Sequence, residues 1–228
     1  MQHIPNHIVL FPDGNRRWAK NKGLNSLKGH QQGYKNLINF AEWCKNRGVN
    51  VLTAFGFSTE NWQRTNKEVN YLMRLFNMGL LKSLKKFQKD NVKVKIIGQK
   101  EKLPKNLQKT IDKIEKETEN NKKLHLNLAI SYGGKWDILQ ATKKIIEDKI
   151  PLDKIDEKLF ESYLSTAGLV LPDLVIRAGG QVRLSNFLLW QAAYSELYFS
   201  PKLWPDFTEK DLDLALDEFN NRQRRFGK

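Results

Sequence analysis

The spacing of apolar residues along the chain switches repeatedly between two periods. Residues 8–11 form a short continuous apolar run that stops at Pro12, the pattern of a strand buried on both faces. Residues 51–55 repeat it and empty into Gly56-Phe57-Ser58-Thr59-Glu60-Asn61-Trp62. Residues 92–97 alternate apolar with lysine before Gly98, residues 124–130 lead into Ser131-Tyr132-Gly133-Gly134, and runs at 173–176 and 196–199 predict a fifth and a sixth strand. Between these runs the spacing is helical. Leu37, Phe40, Ala41 and Cys44 share one face of a helix predicted over 29–47, with Gly48 placed to end it. Val69, Leu72, Met73, Phe76, Leu80, Leu84 and Phe87 form a long stripe. Such a stripe is core by default, but its length and its Met and Phe content also suit the wall of an apolar tunnel. Further helices are predicted from Pro104, over 136–146, over 156–164, and from Thr208 as N-cap with Asp211 behind it.

This alternation predicts the α/β class: a single domain over residues 1–228, with a central, mostly parallel six-stranded sheet flanked by helices. No internal repeat, low-complexity linker or composition shift marks a second domain. Ligands of open α/β sheets bind beyond the carboxyl ends of the strands. The loops with unusual chemistry, 13–17, 58–62 and 177–185, all follow strands, so one sheet edge can collect them.

Composition narrows the partners. Among 228 residues, 40% are hydrophobic and 28% charged, which suits a globular chain. No apolar stretch approaches the ~18 residues a membrane span needs. The lone Cys44 cannot form an internal disulfide, and the N-terminus has no signal-like segment, so a cytoplasmic protein is expected. A net charge of +14 points to an anionic partner. Most of that charge is lysine on helix faces, as at 82, 85, 86 and 89, whereas Arg16, Arg17, Arg177 and Arg183 sit in loops beside glycines or small polar residues. Guanidinium groups fork well onto phosphates. In Asp13-Gly14-Asn15-Arg16-Arg17-Trp18, Asn15 is the expected helix N-cap, and the amides beyond it with two arginines make an anion site. Asp13 at its rim invites a divalent metal between itself and a phosphate. The competing reading is an Asx-type turn with a solvated basic helix start. A phosphate-binding G-x-x-x-x-G-K-[ST] loop is absent from the sequence, which counts against a nucleotide hydrolase.

Together these motifs resemble the cis-prenyltransferases, the family of undecaprenyl diphosphate synthase. The resemblance runs from His7 to Gly227 and rests on Asp13-Gly14-Asn15, on residues 57–62, on Tyr132-Gly133-Gly134, on residues 185–191, and on Glu196-Leu197-Tyr198-Phe199 followed by Trp204-Pro205-Asp206-Phe207. It implies condensation of isopentenyl diphosphate with an allylic diphosphate, commonly farnesyl diphosphate, into a cis-polyprenyl diphosphate, with an apolar tunnel for the product. It implies that Asp13 holds or steers Mg²⁺, with Glu196 completing the metal site, and that Asn61 orients the isopentenyl substrate near the departing proton. The amides of Gly14, Asn15, Arg16 and Arg17, with the Arg17 side chain and His30, fall to the allylic diphosphate. Arg177, Arg183 and Ser185 fall to isopentenyl diphosphate, with Ser58, Trp62 and Arg64 lining the same pocket, and Trp18, Thr59, Glu60 and Leu184 are further expected substrate-binding residues. Arg225-Phe226-Gly227 resembles a terminal element that reaches across a homodimer interface, and the lipid product suggests peripheral membrane contact. The sequence departs from the family pattern at Arg16, where bacterial relatives have glycine, at Ser26, where an arginine is usual, and at Gln181-Val182, where a carboxylate and an imidazole are common. Two alternatives follow: short-chain or irregular, branched prenyl coupling on the same fold, and a basic nucleic-acid-binding module. The core-like placement of the aromatics disfavours the second, so no nucleic-acid partner is expected.

Overall fold

A computed structural model describes residues 3–222, so Arg225-Phe226-Gly227 lies outside the described residues. The six strands are β1 (His7–Phe11), β2 (Val51–Ser58), β3 (Val92–Ile97), β4 (Leu124–Tyr132), β5 (Leu174–Arg177) and β6 (Glu196–Phe199). They form one sheet in the order β3-β4-β2-β1-β5-β6, and every neighbouring pair is parallel. The described helices are α1 (Asn15–Asn21), α2 (Ser26–Asn46), α3 (Asn66–Lys89), α4 (Lys105–Thr118), α5 (Gly134–Glu147), α6 (Glu157–Tyr163) and α7 (Glu209–Asn221).

Sequence pattern and position in the sheet agree. Every residue of the inner strand β1 is buried, hence its unbroken apolar run. β3, at one edge, alternates, and its lysines Lys93 and Lys95 take the half-buried positions. One face packs against α2, α3, α4 and α7 through a large cluster that includes Phe40, Leu80, Leu107 and Leu216. The opposite face carries a smaller aromatic cluster, in which Phe55 stacks on Phe187 at 4.1 Å and Phe11 meets the same ring edge-on at 5.1 Å. None of the described helices is long and apolar enough to cross a membrane.

Two helix starts differ from expectation. The N-cap of α1 is Gly14, not Asn15: at φ +106° the glycine turns the chain by backbone geometry, and Asn15 becomes the first helical residue. The Asn15 amide donates back to the Pro12 carbonyl at 3.3 Å instead of capping the helix. α2 begins at Ser26, before the expected Gly29, because Asn25 caps it by accepting from the Leu27 amide at 3.0 Å. The Thr208–Asp211 capping box forms as expected. Gly79 fixes how closely α2 and α3 approach. A Cβ there would lie 2.4 Å from Cζ of Tyr34, so glycine is what lets the ring sit against the α3 backbone.

Candidate active site

The register places the chemistry. Phe11 of β1 pairs with Arg177 of β5, which pairs with Phe199 of β6, so the segments after these residues leave the sheet side by side. Arg177 is buried at 5% exposure, with its guanidinium carbon 5.0 Å over the Phe11 ring. One of its terminal nitrogens donates to Asp13 Oδ2 at 3.0 Å; the other terminal nitrogen donates to Ser185 Oγ at 2.8 Å and to the Arg183 carbonyl. Arg17 approaches Asp13 Oδ1 at 3.3 Å. Both carboxylate oxygens therefore face guanidinium groups from different elements. Gly179, at φ +92°, is required here: a Cβ would meet Arg17 at 2.8 Å and the Asp13 carbonyl at 2.9 Å.

The loop after β5 holds three non-glycine residues in left-handed backbone, Ser185, Asn186 and Leu188, each costing on the order of 1 kcal/mol or more. Asn186 ties the strained segment to its neighbours. Its side chain accepts from the Lys135 amide at 2.8 Å and donates to Glu60 at 2.8 Å, and its carbonyl accepts from Gly134 N at 2.7 Å. Burial pushes the Glu60 carboxyl up, but the Asn186 bond and nearby donors outweigh it and hold the group below its usual value. Asn186 was not among the expected site residues; the tolerance of asparagine for left-handed backbone is the signal that could have marked it. Arg183 is held by Gln181, whose side-chain oxygen accepts at 2.6 Å, so the unusual glutamine props the arginine.

After β2 the chain makes a short 3-10 helix, Thr59–Gln63. Asn61 Oδ1 accepts from the Ser58 amide at 3.1 Å, which fixes the side chain and leaves its NH₂ group as donor. On the facing side, Arg16, His30 and Arg64 surround Glu68 of α3. Burial lowers the pKa of His30, against the pull of Glu68, and lowers that of Arg64 as well.

These groups open on a cavity of about 1220 Å³. Its polar end is lined by Asp13, Gly14, Asn15, Arg16, Arg17, His30, Ser58, Glu60, Asn61, Arg64, Arg177, Arg183 and Ser185, all expected site residues. Its apolar end lies between α2, α3 and β2, with Leu37, Leu72, Leu75, Phe76 and Tyr34 among its walls. The Ser26 position also lines it. Trp18, Thr59, Trp62, Leu184 and Glu196 do not. Trp18 turns to Asp206, donating at 2.7 Å; Trp62 packs 5.1 Å from Phe57 and donates to Ser131 at 2.9 Å, as an anchor of its loop. Glu196 opens β6 opposite Leu174, three register steps before the Phe11–Arg177 row, about 10 Å along the strands. It pairs there with Arg222 at 3.0 Å, so within one chain it does not join Asp13.

No cluster of three or more His, Cys, Asp or Glu side chains suited to a metal exists among the described residues. The donor set still suits Mg²⁺, which is commonly held by one or two carboxylates together with substrate phosphates. Asp13, a third exposed and facing the cavity, is that kind of carboxylate.

The family profile described as putative undecaprenyl diphosphate synthase matches residues 11–227. An isoprenyl transferase of Thermotoga maritima is 45% identical over 226 residues, covering 98% of this chain and 97% of that protein. A chloroplastic (2Z,6Z)-farnesyl diphosphate synthase of Solanum lycopersicum is 48% identical over 230 residues, covering 98% of this chain and 79% of that protein. Among solved structures, lavandulyl diphosphate synthase from Lavandula x intermedia, in complex with dimethylallyl diphosphate, superposes with a TM-score of 0.94 at 39% identity, covering 99% of each chain. A parallel sheet with its arginine-bearing loops on one edge, a cavity lined by both polar and apolar residues, and a match over nearly the whole length lead to one conclusion: the chain belongs to the undecaprenyl diphosphate synthase family and is a prenyltransferase enzyme.

Proposed function

We propose that the protein condenses isopentenyl diphosphate with an allylic diphosphate, farnesyl diphosphate being the expected starter, to give a cis-polyprenyl diphosphate. The observation that carries this reading is the meeting of Asp13, from the loop after β1, and Arg177, at the end of β5, at 3.0 Å on the wall of a cavity that also has apolar walls. In this reading the amides of Gly14 to Arg17, the Arg16 and Arg17 guanidinium groups and His30 grip the allylic diphosphate. As the allylic carbon–oxygen bond breaks, these donors stabilise the charge gathering on the departing diphosphate. Arg177, Arg183 and Ser185 hold isopentenyl diphosphate. Asn61, fixed through its oxygen, orients that substrate, and a phosphate oxygen takes the departing proton, because a neutral amide is a poor base. The lengthening chain enters the space between α2 and α3. Asp13 would hold Mg²⁺, which when bound supplies positive charge to the diphosphates.

Glu196 could contribute to a metal site only from a second copy, so the metal role expected of it requires the homodimer. β6 is an edge strand of the sheet, the side from which a second copy would approach.

A second reading, short-chain or branched coupling of allylic units, is favoured by the 0.94 TM-score to a lavandulyl diphosphate synthase. Mass spectrometry separates the two. Condensation predicts products lengthened by isoprene units when both diphosphates are supplied and none from dimethylallyl diphosphate alone; a product from dimethylallyl diphosphate alone overturns the first reading in favour of the second.

A further inference from the structure

Glu68 touches three cationic groups of the cavity wall at once. Its Oε1 lies 3.1 Å from Nε2 of His30, 3.1 Å from a terminal nitrogen of Arg64 and 4.0 Å from Nε of Arg16. These partners come from α2, from the segment before α3 and from α1, so one oxygen ties three elements together. Glu68 sits in the first turn of α3, where Thr65 caps its amide at 3.4 Å, and is only 8% exposed. Burial alone would raise its pKa, but the His30 bond and the Arg64 and Arg16 charges overcome that and keep it a carboxylate.

An anion so placed is at odds with a site that must accept a diphosphate, unless it serves the groups that do the gripping. His30 shows how it can. The contact with Glu68 makes Nε2 the protonated nitrogen of the neutral ring, and leaves Nδ1 as the remaining polar atom of a residue that lines the cavity. A bare Nδ1 lone pair would repel a phosphate oxygen; a protonated one donates to it. The charged groups facing the ring are Glu68, Arg64 and Arg16. Before substrate arrives, burial and the two arginines keep the second proton off. A bound diphosphate reverses the local sign, and the imidazolium is then flanked by anions on both nitrogens.

We propose that Glu68 is a positioning residue for the allylic diphosphate: it fixes His30 so that Nδ1 takes one proton from solvent as the diphosphate binds, and it holds Arg16 beside the same anion. The inference rests on the reading that this end of the cavity takes the allylic diphosphate. The proton is taken from water or buffer and returned when pyrophosphate leaves, with no other bond made or broken. The Arg16–Glu68 contact bears on this chain's departures from its family pattern, because it sets a guanidinium at a cavity wall where Ser26 supplies none.

Titration calorimetry of the full chain with dimethylallyl diphosphate, near pH 7.5 in buffers of different ionisation enthalpy, counts the protons taken up on binding. The proposal expects wild-type uptake to exceed that of His30→Gln by about one proton, a difference that removes the ligand's own titration. Glu68→Gln should lose that extra uptake and about tenfold or more in allylic affinity, partly regained at lower pH. Equal uptake by wild type and His30→Gln, or a Glu68→Gln protein that retains the wild-type uptake, overturns the proposal while leaving the function intact. Failure of the wild-type chain to bind the allylic diphosphate overturns the functional reading, and the proposal with it. Should Glu68→Gln not fold, the ¹⁵N shift of His30 Nδ1 in the wild-type chain decides: a change to the protonated form on adding diphosphate supports the proposal, and no change overturns it.

Discussion

The two edges of the sheet both bury polar side chains, but they satisfy them differently. At the amino edge the partners are largely main chain. Asp173 accepts from the Asn6 and His7 amides at 2.8 and 3.1 Å, Ser195 donates to the Pro172 carbonyl at 2.7 Å, and His7 donates through Nδ1 to the Val170 carbonyl at 2.7 Å. His7 Nε2 accepts from Thr53 at 2.8 Å, so both ring nitrogens are used. At the carboxyl edge side chains hold side chains: Asp13 with Arg17 and Arg177, Glu68 with His30, Arg64 and Arg16, Glu60 with Asn186. A main-chain partner cannot be given up without moving the backbone. A guanidinium paired to a carboxylate can turn to a phosphate of like charge and geometry. His7 and His30 are both buried and both have lowered pKa values, yet only His30 borders the cavity. Exchangeable partners, more than burial or pKa, distinguish the site from the scaffold.

The comparison breaks most severely at Asp13. Asp13→Asn keeps shape but loses the charge, and turnover should fall by about a thousandfold or more, with circular dichroism unchanged. Retention of a tenth of the activity would remove Asp13 from the centre of the site.

At the opposite edge the expected effect is on stability. Burial holds His7 at about pKa 4, below the ordinary 6.5, so the unfolded chain binds the extra proton first as the solution is acidified. Stability from this group is present above about pH 6.5 and is lost as pH falls towards 4, on the order of 3 kcal/mol in all. Denaturant melts across this range should show the loss, and His7→Gln should flatten the slope with little change in the KM of either substrate. A pH slope identical to wild type in His7→Gln would contradict the assignment.

Arg183→Gln tests whether the carboxyl edge is divided between two anions. Loss of one charge-assisted contact should raise the KM for isopentenyl diphosphate by about 10- to 100-fold and leave allylic binding unchanged. Equal losses for both substrates would mean that the division is wrong. The smallest effect is expected in the apolar half, where Gly79→Ala forces a methyl against the Tyr34 ring and should cost about 1–3 kcal/mol by thermal unfolding. Tyr34→Leu should relieve part of that cost, giving a non-additive double mutant; strict additivity would show that the two side chains are not coupled.

Much of this division can be read from residues alone. The strand ends at Pro12 and Gly98 are marked by apolar runs that stop there, and the ranges expected for β3 and β6 match the structure, whereas β4 runs on from 130 to Tyr132 and β5 from 176 to Arg177. β2 is expected to end at Phe55 but runs to Ser58, because the strand carries on through a register irregularity at Gly56, the residue that breaks its apolar run. Arg17 and Ser185 are legible because they follow strands, and Arg177 because it closes one. Glu68 and Tyr34 were not. A glutamate in a first helical turn reads as a solvated charge, and a tyrosine beside a glycine of another helix is a meeting across 45 residues of chain that no local period records. Trp18 and Trp62 show the reverse: they stand inside the motifs, but their ring directions depend on Asp206 and Ser131, which lie far along the chain.

The central claim is that loops from separate strands place two diphosphates so that one leaves and the other is extended. Its most direct test is release of pyrophosphate, read together with product mass, when the wild-type chain is given isopentenyl diphosphate, farnesyl diphosphate and Mg²⁺. The account predicts one pyrophosphate for each isoprene unit added, and neither signal when Asp13→Asn replaces the wild type. Pyrophosphate without a lengthened product, or a lengthened product formed equally well by Asp13→Asn, would contradict it.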